Sequence, residues 1–344
     1  MASPPLLSVL DLAPISQGSS AADALGHSVE LARIAERLGY RRLWVAEHHN
    51  MPGIASSSPA VLIAHLAAST SSLRIGAGGV MLPNHAALVV AEQFGMLEAL
   101  HPGRIDLGIG RAPGTDPLTA AALRRRPLAQ GADEFPEQMR DLLAFFDGTH
   151  PQITAVPGRG YRPALWMLGS SDFSANVAGL LGLPFSFAHH FAAANTMAAV
   201  AAYRSAFRPS DDLDRPYVML GVPVICADDA DRARWLAGSS ALSFVRLRQG
   251  RPTALPTPEE AAEYVFTPLE RELLRNWTNP LIAGSPAEVR DQLLDLAART
   301  EADELMITTM VHGHGDRMRS YQLVAEAFDL AGTAANLGLQ RHSA

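Results

Sequence analysis

The chain has a single cysteine, Cys226, among 344 residues. An internal disulfide is therefore impossible, and folding cannot depend on an oxidising compartment. No uninterrupted apolar stretch reaches about 18 residues, so no membrane-spanning helix is expected. Residues 1–12 lack the basic start and long apolar run of a secretory signal, which predicts a cytoplasmic protein. Charge is also sparse. Asp, Glu, Lys and Arg make up 18% of the residues against 48% hydrophobic, and the net charge is −7. Such a chain can bury a large core and has no reason to be disordered. An acidic balance argues against nucleic acid as a partner, which calls for a basic face. The one basic run, Arg124, Arg125 and Arg126, is expected in a solvated loop. No repeat or low-complexity tract stands out.

What the chain does have is alternation. Short apolar runs at 6–12, 42–46, 74–80, 105–109, 164–169, 185–188, 217–226 and 304–309 read as strands. Helical spacing follows at 22–38, 59–69, 88–100, 134–146, 174–181, 196–207, 285–296 and 316–330. Gly39 stops the first helix, and Ser285-Pro286-Ala287-Glu288 is a capping box with proline at the first helical position. The strands are continuous apolar runs, as expected when both faces are covered. Alternation on this scale predicts an α/β fold, a closed (β/α)₈ TIM barrel, rather than an open sheet. One barrel domain over 1–344 is expected. Two stretches exceed the repeat, 111–133 and 229–284, and should project from the C-terminal rim as loops and small helices.

Barrels place reacting groups at the C-terminal ends of their strands. Glu47-His48-His49 follows the second strand, and a histidine there can serve as acid or base near neutral pH. The alternative is a solvated loop. Metal binding is not expected, since adjacent residues rarely chelate together; His312 and His314 are a loose hint only. Gly78 and Gly79, at the end of the third strand, would let a flat ligand approach the backbone, or simply make a bend. Arg111 follows Gly110 after the fourth strand. It would grip a phosphate, or pair with a rim carboxylate. Ser170, Ser171 and Ser174 run into a helix start, where free N–H groups and the helix dipole favour an anion, though serine is also an ordinary N-cap. Strands four and five are neighbours, so one phosphate could meet Arg111 and all three serines. Val80, Met81, Leu82, Phe185, Phe187 and Phe191 are candidates to line the pocket or to pack the core.

On these motifs the sequence resembles the bacterial luciferase-like flavin monooxygenases, in their uncharacterised oxidoreductase branch. The resemblance rests on residues 43–49, 76–83, 103–111 and 169–171, with 308–314 near the end. It implies FMN, or the deazaflavin F420, at the barrel mouth. His48 corresponds to the catalytic histidine, with Glu47 and His49 as its neighbours. Gly78-Gly79 falls where the family holds a non-proline cis peptide. Arg111 and the three serines correspond to the phosphate site. The resemblance further implies reduced FMN delivered by a separate NAD(P)H:flavin reductase, O₂ and a small organic substrate, and a homodimer formed through helices 59–69 and 88–100. Gly110 stands where the light-emitting α chain has a reactive cysteine, which argues against long-chain aldehyde and light emission. F420-dependent hydride transfer, with the basic run 124–126 serving the anionic tail, is one rival. A non-catalytic flavin-binding subunit is the other.

Overall fold

The computed structural model describes residues 4–112, 114–124, 134–278 and 280–331. Its strands are β1 (Leu6–Asp11), β2 (Arg42–Val45), β3 (Arg74–Met81), β4 (Ile105–Gly110), β5 (Ala164–Gly169), β6 (Phe185–Phe187), β7 (Val218–Cys226), β8 (Ile282–Gly284) and β9 (Glu304–Thr308). They pair in the order β6-β5-β4-β3-β2-β1-β9-β7, and β6 also pairs with β7, which closes the ring. Every pairing is parallel. The TIM barrel anticipated from alternation is thus the observed fold. The short β8 stands outside the ring and extends the end of β7, pairing Val224 with Ile282 and Cys226 with Gly284.

Local chemistry sets the helix limits. The helix α1 (Ala21–Leu38) opens on a capping box between Ser20 and Asp23. It ends at Gly39, whose φ of 86° is left-handed and whose missing Cβ would sit 2.7 Å from the Leu330 carbonyl oxygen. The box at Ser285 and Glu288 opens α12 (Pro286–Thr300) as expected. Between these lie α2 (Pro59–Ala68), α3 (Ala87–Leu100), α4 (Pro117–Arg124), α5 (Phe135–Asp147), α6 (Asp172–Leu181), α7 (His189–Ala192), α8 (Thr196–Ala206), α9 (Ala230–Arg248), α10 (Pro258–Glu263) and α11 (Pro268–Thr278), and α13 (His314–Ala327) closes the fold. The insertion at 229–284 differs from its sequence reading. Its prolines fall after residue 251, so the first part is free to form the 19-residue α9, capped by the Asp229 side chain. The middle of the insertion meets the segment after β1, where Leu255 bridges Ser16. Of the basic run, Arg125 and Arg126 lie outside the described residues.

The main core lies between strands and helices, with Val9, Leu43, Ile75, Leu107 and Leu220 wholly buried against the helix faces. A second cluster of Leu10, Trp44, Trp166, Met219 and Met306 plugs the barrel itself. Beneath the plug is a charged floor. The Arg42 guanidinium bonds Asp106 at 2.7 Å and Glu304 at 2.8 Å. Asp106 also accepts from Arg74 and from the Trp44 indole. Glu304 accepts from Ser8 and Tyr217. Above the plug the barrel is open, and the site begins there. Among the described residues, no helix is long and apolar enough to cross a membrane.

Candidate active site

A cavity of about 300 Å³ occupies the mouth. His48, Glu47, Gly78, Arg111, Ser170, Ser171 and Ser174 all border it, so one space brings together residues read from four separate strand ends. Gly79 follows without bordering the cavity, and the Gly78-Gly79 peptide is cis. Both positions need glycine for space. A Cβ on Gly78 would lie 2.8 Å from the Trp44 ring, and one on Gly79 2.6 Å from the Gly108 carbonyl oxygen.

Glu47 is fully buried and acts as a hub. Its carboxylate accepts from His49 Nε2 at 3.0 Å, from His85 Nε2 at 3.0 Å, from Asn84, and from the Met81 N–H at 3.0 Å. Burial by itself raises its pKa, but the bonds from His85, His49 and Met81 outweigh burial and hold the carboxyl below its ordinary range. Glu47 therefore holds the loops after β2 and β3 together. His49 is tied to this carboxylate and does not border the main cavity; it faces a second cavity of about 450 Å³ beside Asp116 and Pro252. The trio thus divides, and of its two histidines only His48 borders the mouth. Its Nδ1 lies 3.3 Å from the Gly114 carbonyl, which can only accept, so Nδ1 carries the proton and Nε2 keeps its lone pair. Burial pushes the His48 pKa down, so the ring is neutral at pH 7.

The anion-binding side is assembled differently. Arginine supplies all 28 basic side chains, since lysine is absent. The Arg111 guanidinium sits 4.1 Å over the Phe173 ring and has no ion pair among the described residues. The rim salt bridge weighed from sequence is thus not seen there. Ser171 is the N-cap residue of α6, yet its side chain makes no capping bond. Ser174, in the first turn of α6, is buried at the cavity wall. A permanent cation, hydroxyls without a capping task and an open helix start converge on one corner, a chemistry suited to a phosphate.

Sequence reasoning missed two residues. His85 was passed over because it follows a 3₁₀ turn and not a strand end. His190 borders the cavity from α7, directly after β6. The rule that singled out His48 applied equally to Ala188-His189-His190. His189 turns away and bonds Thr196 at 2.7 Å. Of the apolar candidates, Met81, Phe187 and Phe191 border the cavity, whereas Val80, Leu82 and Phe185 are core. His312 and His314 do not converge: His312 bonds the Gln17 carbonyl, and His314 stacks on His27 and bonds Glu30.

The family model for luciferase-like monooxygenases matches residues 7–304. A luciferase-like monooxygenase of Escherichia coli (strain K12) is 46% identical over 321 residues, 93% of this chain and 96% of the relative. An N-acetyl-S-alkylcysteine monooxygenase of Bacillus subtilis (strain 168) is 35% identical over 332 residues, 93% and 97% of the two chains. Among solved structures, apo-MsnO8 superposes with a TM-score of 0.88 at 41% identity, covering 95% of this chain and 99% of that one. With its barrel, its mouth cavity and matches across nearly its whole length, the chain belongs to the luciferase-like monooxygenases, a family of oxidoreductases.

Proposed function

We propose that the chain is an FMN-dependent monooxygenase that oxygenates a small organic substrate with O₂ in the cytoplasm, its reduced flavin delivered by a separate NAD(P)H:flavin reductase. The observation that carries this reading is the corner formed by Arg111, Ser170, Ser171 and Ser174, a cation without an ion pair and hydroxyls without a hydrogen-bond partner among the described residues, opening on the cavity that His48 borders. Arg111 and the start of α6 would hold the flavin phosphate. The bare Gly78-Gly79 backbone leaves room for a flat ring. When bound, the reduced flavin supplies the electrons that activate O₂. His48 would hold or move a proton at Nε2, with Nδ1 fixed by Gly114. Glu47 positions that loop, and Leu10, Met81 and Phe191 keep water from the reacting atoms. Val61, Met96 and Leu100 are exposed on α2 and α3, which supports a homodimer through those helices.

Titration of the protein with FMN, riboflavin and F420, followed by cofactor fluorescence, tests the assignment. FMN should bind at least about tenfold more tightly than riboflavin, the difference expected for a charge-assisted phosphate contact. Equal binding of the two would remove the phosphate site. Tighter binding of F420 would replace oxygenation by hydride transfer.

A further inference from the structure

We infer that His190 is a substrate-contacting residue that selects ligands carrying an O–H or N–H donor. The inference rests on the reading of the mouth cavity as the flavin and substrate site.

The orientation of the ring is fixed by its partners. His190 Nδ1 lies 3.2 Å from the Gly221 carbonyl oxygen on β7. That oxygen only accepts, so Nδ1 carries the proton and Nε2 is left with a lone pair. Nε2 has no partner among the described residues. Gly221 is shaped to admit the ring: a Cβ there would lie 2.7 Å from Nδ1 and 3.0 Å from Cε1. The Phe191 ring packs edge-on at 4.6 Å and closes the other side. Burial, with smaller contributions from His189 and His48, pushes the His190 pKa down to about 4, so the ring stays neutral at physiological pH.

The position in the barrel gives this acceptor its meaning. β2 and β6 stand four strands apart around the ring, on opposite walls. His48 and His190 follow them and border the same cavity. A ligand between them meets one neutral acceptor on each side, while the cation and hydroxyls lie at the corner after β4 and β5. If His48 serves the reacting atoms, His190 faces the far part of the substrate. A hydroxyl, amide N–H or amine there satisfies Nε2. An ether, a ketone or a bare hydrocarbon leaves it desolvated and unpaired, which weakens binding by about tenfold or more.

The test uses phenol and toluene as probes of equal shape that differ in one donor, measured calorimetrically on the FMN-loaded protein. Phenol should bind about tenfold or more tightly than toluene. His190→Leu should bring the ratio close to one, His190→Gln should restore most of it, and His48→Leu should leave it largely unchanged. The ¹⁵N resonance of His190 Nε2 should shift on adding phenol and not on adding toluene. Should His190→Leu fail to fold, Gly221→Ala displaces the same ring and should likewise lower the ratio. A wild-type ratio near one, binding of neither probe, a ratio unchanged in the folded His190 or Gly221 variants, or a ratio lost only with His48 overturns the inference. FMN titration of the same samples separates the two readings. Failure of the wild type to bind FMN counts against the flavin site, while the phenol to toluene ratio remains measurable on the flavin-free protein.

Discussion

The floor and the mouth of this barrel both concentrate charged and polar side chains, and they do so in opposite ways. On the floor every charge is answered from within: Arg42 meets Asp106 and Glu304, Asp106 also takes Arg74 and the Trp44 indole, and Glu304 takes Ser8 and Tyr217. At the mouth Arg111 lies over a phenylalanine, Ser171 leaves its helix uncapped by a side chain, and His48 and His190 each commit one ring nitrogen while the other has no partner among the described residues. A buried ionic network that satisfies itself is structure. Polar groups that line a cavity and lack protein partners are held ready for something else.

The largest effect expected of this contrast is on rate. His48→Ala should reduce turnover of an accepted substrate by about 10²–10⁴, the usual worth of a positioned acid or base, while the circular dichroism and melting of the protein stay as they are. An unchanged rate would take His48 out of the mechanism. The lowered pKa of His48 sets the sign of the pH dependence. The ring protonates only below the usual imidazole value of about 6.5, so an acid limb due to its loss as a base lies below that pH. A limb above 6.5 would count against that assignment.

On the floor the same kind of deletion should strike stability. Asp106→Ala leaves Arg42 and Arg74 short of their shared carboxylate, a change worth about 3–5 kcal/mol for a buried pair. Urea denaturation reads this directly, and a loss under about 1 kcal/mol would erase the distinction between the two regions. Arg111→Ala should do the reverse. FMN affinity falls by about 1.5–3 kcal/mol, or roughly ten- to a hundredfold, and riboflavin affinity hardly moves. An equal loss for both ligands would mean that Arg111 packs against the site and does not grip the phosphate.

The smallest effects sharpen the contrast most, because they compare serine with serine. Ser20 caps α1 through its side chain, so Ser20→Ala should cost about 1 kcal/mol of stability and nothing in FMN binding. Ser171 makes no such bond, so Ser171→Ala should weaken FMN by about 0.5–1.5 kcal/mol and leave the melting temperature alone. If both variants merely destabilise, Ser171 is a cap after all.

Much of this was legible before folding. Strand and helix limits follow from apolar spacing, and caps such as Gly39 at a helix end and Ser285 at a helix start act through their immediate neighbours. Where the reading failed, distant residues decided. Residues 229–284, with prolines at 252, 256 and 258, read as loops and small helices, yet the 19-residue α9 ends before those prolines. β8 is three residues long and exists because β7 overruns the ring and offers a free edge. The floor was invisible because Arg42, Asp106 and Glu304 sit one to a strand in runs that otherwise look apolar, and nothing local reveals that they face one another.

The sequence by itself determined the alternation, hence the barrel, and put His48, Arg111 and the serines at strand ends, because hydrophobic period and turn chemistry are local properties. Only the tertiary structure decided which of them share a cavity. It turned His49 into the Glu47 hub, left Ser171 without a capping bond and set His190 opposite His48. Those outcomes depend on which hydrogen-bond partners remain once the ring of strands has closed, and no stretch of chain contains that information alone.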